Sequence, residues 1–170
     1  MPPPPTARVA FRTWTAEDLP LACELWGDPR VTALIGGPFD DAAVRRRLHA
    51  EIETERRHGI QYWPIFNAAS GAHLGCCGLR PRDLARGVLE IGFHLRPEAS
   101  GRGLATEAAR AVIDHALGTL RAAALFAGHH PENHASRRLL LGLGFAYTHD
   151  ELFPPTGRRH PSYRFEAVRP

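Results

Sequence analysis

From Val88 to Leu95 hydrophobic and polar positions alternate. Leu89, Ile91, Phe93 and Leu95 fall on one side of an extended segment, and Val88, Glu90, Gly92 and His94 on the other. Pro97 ends this strand, since it has no N–H for a ladder. Past Ser100-Gly101-Arg102-Gly103 the period changes, and Leu104, Ala108, Ala111, Val112 and His115 recur at helical spacing. The stretch from Val88 to Leu117 therefore predicts a strand, a glycine-bearing turn and a long amphipathic helix.

The same reading extends along the chain. Val9–Trp14 predicts a first strand. Thr15 caps the following helix, with Asp18 in a box-like position and Leu19, Cys23 and Trp26 inside, and that helix stops near Gly27-Asp28-Pro29. Asp40 and Asp41 announce a second helix with Val44, Leu48 and Ile52 on its inner face, an Arg47–Glu51 pair on a solvated outer face, and Gly59 at its end. Residues 60–67 and 73–79 predict an antiparallel hairpin turning at Ala69-Ser70-Gly71, and 80–87 a polar connection. Residues 122–128 predict a strand parallel to the one at Val88, because a helix joins them. Pro131 to Asn133 open a last helix carrying Leu139, Leu140 and Leu143, closed by Gly144. Strands at 145–148 and 163–168 complete a mixed α+β sheet with helices on both faces.

The first helical amides after Gly103 have no partner inside their helix. Together with the helix dipole they form an anion site, which Gly101 and Gly103 let a phosphate approach closely, with Arg102 beside it. The turn is no P-loop, as no Gly-Lys-Ser/Thr follows, and it lacks the third glycine of a dinucleotide fingerprint. Glu90 stands out as a carboxylate within an apolar strand, where burial without a partner is costly.

Composition adds limits. The 170 residues suit one domain over 9–170, with a Pro-rich lead at 1–8 expected to fray. Net charge is +3, every one of the 21 basic residues is Arg, and these are interleaved with acids, so nucleic-acid binding is not expected. There is no secretory h-region or membrane-length apolar run, and three cysteines, two of them adjacent, are no disulfide framework; a cytoplasmic setting follows as the expectation. Ten histidines raise a metal site, with His129, His130 and His134 close together. His130 and His134 straddle Pro131 at a helix start and no Cys or carboxylate pair completes the ligand set, so no metal is expected.

Four segments, LGCCGL at 74–79, LEIGFHLRPEASGRGLATEA at 89–108, PENHAS at 131–136 and LGLGF at 141–145, together resemble the acetyl-CoA-dependent N-acetyltransferase (GNAT) superfamily, in the branch of the RimJ/RimL protein N-terminal acetyltransferases. The resemblance runs from Val9 to Phe165. It implies a mostly antiparallel sheet whose parallel strand pair splays around acetyl-CoA. It places the pyrophosphate at Ser100, Gly101, Arg102, Gly103, Leu104, Ala105 and Thr106, although Ser100 stands where the family has Gln or Arg. It also implies that His94 and Leu95 lend backbone groups to the pantetheine arm and that Asn133 binds it from the other side.

For chemistry, the resemblance makes Glu90 the general base for an amine acceptor, a protein N-terminus or a small molecule; a purely structural carboxylate is the other role open to it. Ser136 is implied as the hydrogen-bond donor to the thiol, since the tyrosine common in the family is replaced by Leu140. The acceptor side is implied to involve Trp26, Phe39, Trp63, Phe153, His160 and Tyr163. A non-catalytic acyl-CoA sensor is the alternative, and a monomer and a homodimer both stay open.

Overall fold

Consecutive cysteines show how the chain is layered. In the computed structural model, which describes residues 1–167, Cys76 packs with Trp26, Leu48 and Tyr62 on one face of a sheet, and Cys77 with Leu104, Val112 and Ile91 on the other. Successive strand residues point to opposite faces, and both faces here are covered by helices.

The strands are β1 (Val9–Phe11), β2 (Tyr62–Asn67), β3 (His73–Asp83), β4 (Val88–Leu95), β5 (Ala124–Gly128), β6 (Ala146–Phe153) and β7 (Arg158–Glu166). They form one seven-stranded sheet in the order β1-β2-β3-β4-β5-β7-β6. Every pairing is antiparallel except β4 with β5. The helices are α1 (Leu19–Trp26), α2 (Pro29–Thr32), α3 (Asp41–His58), α4 (Leu104–Asp114) and α5 (His134–Gly142). Leu104, Ala108, Ala109 and Val112 seat α4 on the face formed by Leu89 and Ile91, while α1 and α3 cover the opposite face. Full burial of one leucine there is worth about 1.5–3 kcal/mol, so α4 is held by its stripe more than by propensity.

Several expectations need correction. The first strand ends at Phe11, because Arg12 turns to pair with Asp18 at 2.6 Å in the Thr15 capping box. The Pro-rich lead is packed, not frayed: Glu107 on α4 accepts from the Thr6 hydroxyl at 2.6 Å and pairs with Arg8 at 2.6 Å, and Pro3 is buried. Half of the expected polar connection after Leu79 is strand, since β3 runs on to Asp83. Its arginines are tolerated because Arg80 is paired with Glu51, and Arg82 lies 4.0 Å from the Phe126 ring centre and 2.7 Å from Glu151. The last two strands are longer than expected, and Val168 lies outside the described residues.

The solvated Arg47–Glu51 pair is the largest departure. Val44, Arg47, Leu48 and Glu51 share one side of α3, and Glu51 is only 1% exposed. Its carboxylate accepts from the Tyr62 N–H at 2.8 Å and pairs with Arg80. Cross-chain partners, not the i,i+4 neighbour, satisfy it.

Candidate active site

β4 and β5 stay in register for only three residue pairs, Val88 to Glu90 against Ala124 to Phe126. Beyond them β4 continues beside β3 and β5 beside β7, so the two parallel strands part. A cleft of about 730 Å³ opens there, lined by Glu90, His94, Gly103, Ala105, Asn133 and Ser136 among others.

The direction of the β4 backbone at this gap follows from its bonds. Arg96 donates its N–H to Leu74 O at 2.9 Å, and the His94 carbonyl faces Gly75, where a Cβ would come within 2.1 Å of it. Backbone groups alternate along a strand, so those of Phe93 and Leu95 face the gap that β5 has left. His94 reaches the cleft instead through its ring. Trp26 Nε1 donates to His94 Nδ1 at 3.3 Å, which leaves the ring proton on Nε2. Burial, reinforced by the charges of Arg47 and Arg80, holds this imidazole well below its ordinary range, and it is neutral.

At the mouth of the gap Gly101 and Gly103 adopt left-handed φ values of 73° and 74°. Gly103 is the N-cap of α4, and the first helical bond to close onto it is Glu107 N–H to Gly103 O at 3.1 Å. The amides of Leu104, Ala105 and Thr106 are therefore left open. Ser100, Gly101, Gly103, Leu104, Ala105 and Thr106 all line the cleft. Ser100 Oγ donates back to Arg96 O at 3.4 Å, and Arg102 is exposed, outside the lining, with its carbonyl held by Arg8 at 3.1 Å. The anion cradle is thus backbone first and charge second.

Opposite, α5 begins at Asn133, whose Oδ1 accepts from the Ser136 N–H at 3.0 Å. That leaves the Asn133 amide nitrogen and the Ser136 hydroxyl without a hydrogen bond to any described residue, both on the lining.

Glu90 sits half-buried on the far face of β4 from α4, and Tyr62 donates its hydroxyl to Glu90 Oε1 at 3.1 Å. Burial and the adjacent Glu90 charge push the Tyr62 phenol well above its ordinary value, so it stays a donor. Gly92 makes room for it, since a Cβ there would lie 2.2 Å from the Tyr62 hydroxyl. Of the aromatic residues expected on the acceptor side, Phe153 and His160 line the cleft, stacked with ring centres 4.6 Å apart. Trp63 does not, being fully buried in the α4 face beside His115. Trp26 is fully buried behind His94, and Tyr163 stacks on His129 with ring centres 5.3 Å apart. Tyr62, Arg47 and Arg80 all line the cleft; none of them is among the site residues expected from the sequence, where Arg47 reads only as half of a solvated pair. The available signal for Arg47 was its three-residue spacing from buried Val44.

This splayed pair with a glycine turn is matched at the level of whole sequences and folds. Residues 8–146 match the acetyltransferase (GNAT) domain family. The chain belongs to the GNAT acetyltransferases. It is an acyltransferase enzyme. It is 31% identical over 142 residues to an N-acetyltransferase called p20, itself uncharacterized, from Bacillus licheniformis, covering 82% of this chain and 80% of that one. Among solved structures it is similar to an acetyltransferase from Agrobacterium tumefaciens (TM-score 0.83, 25% identity, 98% and 95% of the two chains). The fold also matches the ribosomal-protein α-N-acetyltransferase RimL in its complex with coenzyme A (TM-score 0.82, 14% identity, 96% of each chain). No helix among the described residues is long and apolar enough to cross a membrane.

Proposed function

We propose that this enzyme transfers the acetyl group of acetyl-CoA to a primary amine, with both substrates bound together in the β4–β5 cleft. The observation that carries the reading is the pairing of three open amides at the α4 N-terminus with a carboxylate on the opposite face of the splayed strand. Backbone amides at a helix start suit a pyrophosphate, and the unpaired edge of β4 at Phe93 and Leu95 suits the amide groups of a pantetheine arm. The Asn133 side-chain nitrogen serves the arm from α5. Arg102 adds a screened positive charge from outside.

Bound acetyl-CoA supplies an activated acetyl thioester. The chain's own residues manage protons and solvent. An amine at neutral pH arrives charged and must lose a proton before it can attack. Glu90 takes that proton, directly or through one water, while the Tyr62 hydroxyl orients its other oxygen. Ser136 Oγ holds a proton on the α5 side for the sulfur. Neutral His94 packs between Trp26 and the cleft and adds no charge to repel the incoming ammonium.

The test is acetylation of an amine panel by wild type and Glu90→Gln. We expect turnover in wild type, a rate lowered roughly 10²–10⁴-fold in Glu90→Gln, and CoA affinity unchanged by calorimetry. A folded Glu90→Gln enzyme with full activity would remove Glu90 as the base. Loss of folding would make the carboxylate structural.

A further inference from the structure

Arg47 lines the cleft but has no anion of its own. Its guanidinium centre lies 4.9 Å from the Trp26 ring centre and 5.8 Å from that of Phe39, and its Nε is fully buried with no hydrogen-bond partner. The nearest carboxylate on its helix, Glu51, is committed: one oxygen to Arg80 and the other to the Tyr62 N–H. Among the described residues Arg47 makes no ion pair. A guanidinium held against two aromatic faces with a buried, unpartnered N–H is costly unless an anion completes it. Burial, and then repulsion from Arg80, pull its pKa down, and the weaker attraction of Glu51 does not offset them.

Position says which anion. Arg47, Tyr62, Arg80, Glu90 and His94 line the cleft from the face covered by α1 and α3. The glycine turn and the α4 amides lie on the other face, with Leu104 and Ala108. The phosphates held at the glycine turn are thus spoken for by backbone, and the Arg47 site opens on the side of the proton acceptor.

We propose that Arg47 is the anion-binding residue of the acceptor site, and that the acceptor is an amine carrying a carboxylate or another small anionic group. The amine is directed to Glu90 and its anion to Arg47, whose planar fork suits carboxylate and phosphate alike. This rests on the acetyl-transfer reading and narrows its substrate class.

Matched pairs separate the two ideas. Acetylation rates and thermal shifts are measured for β-alanine against β-alaninamide, and O-phosphoethanolamine against ethanolamine, with wild type, Arg47→Met and Arg47→Lys. In wild type the anionic member of at least one pair should be favoured about tenfold or more in kcat/KM, and the pair that shows it distinguishes carboxylate from phosphate. Arg47→Met should raise KM for that member about tenfold, leave its neutral partner and acetyl-CoA affinity unchanged, and abolish the ligand's thermal shift, with Arg47→Lys in between. A thermal shift that depends on Arg47 without any acetylation keeps the anion site and overturns the transfer reading. Acetylation without preference for either anionic member overturns the anion site and keeps transfer. Equal losses for charged and neutral amines in a folded Arg47→Met would make Arg47 structural and overturn the proposal.

Discussion

Tyr62 is the residue through which three parts of the chain meet. Its N–H is fixed by Glu51 of α3 at 2.8 Å, its hydroxyl donates to Glu90 of β4 at 3.1 Å, and its ring lies 4.2 Å from the Arg80 guanidinium centre of β3. The hydroxyl contact depends on Gly92, whose missing Cβ admits the phenol. Tyr62→Phe keeps the packing and removes only the donor. The Glu90 carboxylate then loses the hydrogen bond that fixes Oε1 towards the cleft wall, and its orientation loosens. We expect maximal activity to fall by no more than about tenfold, with CoA affinity intact and the fold retained. Full activity in a folded Tyr62→Phe enzyme would show that the Tyr62 hydroxyl does not position Glu90 for the proton step. None of this was legible in the sequence, where Tyr62 reads simply as an aromatic residue in a strand; the contact joins positions 28 residues apart.

At the scale of elements, what was legible is what depends on local spacing. The alternation of 88–95 and the helical period after Gly103 identified β4 and α4, and the glycine turn between them, because those patterns are set by the chain's own geometry. What failed was pairing across space. Arg47 and Glu51 look like a surface i,i+4 pair until β2 and β3 supply Tyr62 and Arg80, and residues 80–83 look like a loop until α3 and β6 supply counter-charges. The cradle itself makes a prediction. Gly103 has a φ of +74°, and a Cβ there would meet only Arg8 at 3.6 Å, so the demand for glycine comes from backbone conformation and ligand approach, not from crowding within the protein. Gly103→Val should weaken CoA binding at least about tenfold in a titration, because it strains the turn that aims the three amides. Gly118→Ala, where an added Cβ meets nothing, should leave CoA affinity unchanged. Equal affinity in the two variants would move the pyrophosphate site away from this turn.

Across the whole molecule, five histidines are carried into the fold with depressed pKa values: His73, His94, His115, His129 and His160, each chiefly through burial. Their ring nitrogens are used as neutral partners, His94 by Trp26, His129 by Tyr163 at 3.2 Å and His160 by Thr156 at 2.9 Å. Such groups bind protons more readily in the unfolded chain, where they titrate near 6.5, than in the folded one. Their stabilising contribution is therefore complete above about pH 6.5 and is lost progressively as pH falls below it towards their folded values. A single fully neutral buried histidine costs about 1.4 kcal/mol of stability per pH unit once the unfolded state is protonated, and His94 is the most strongly depressed of the five, with Arg47 and Arg80 adding to its burial. We expect the melting temperature to fall steadily from pH 7 to pH 5, before most carboxylates titrate, with net proton uptake on unfolding by calorimetry in buffers of different ionisation enthalpy. A melting temperature that is flat over that interval, or proton release on unfolding, would mean that these rings are charged within the fold. His94 would then place a cation beside Glu90, and an incoming ammonium would meet repulsion in the cleft instead of a neutral wall.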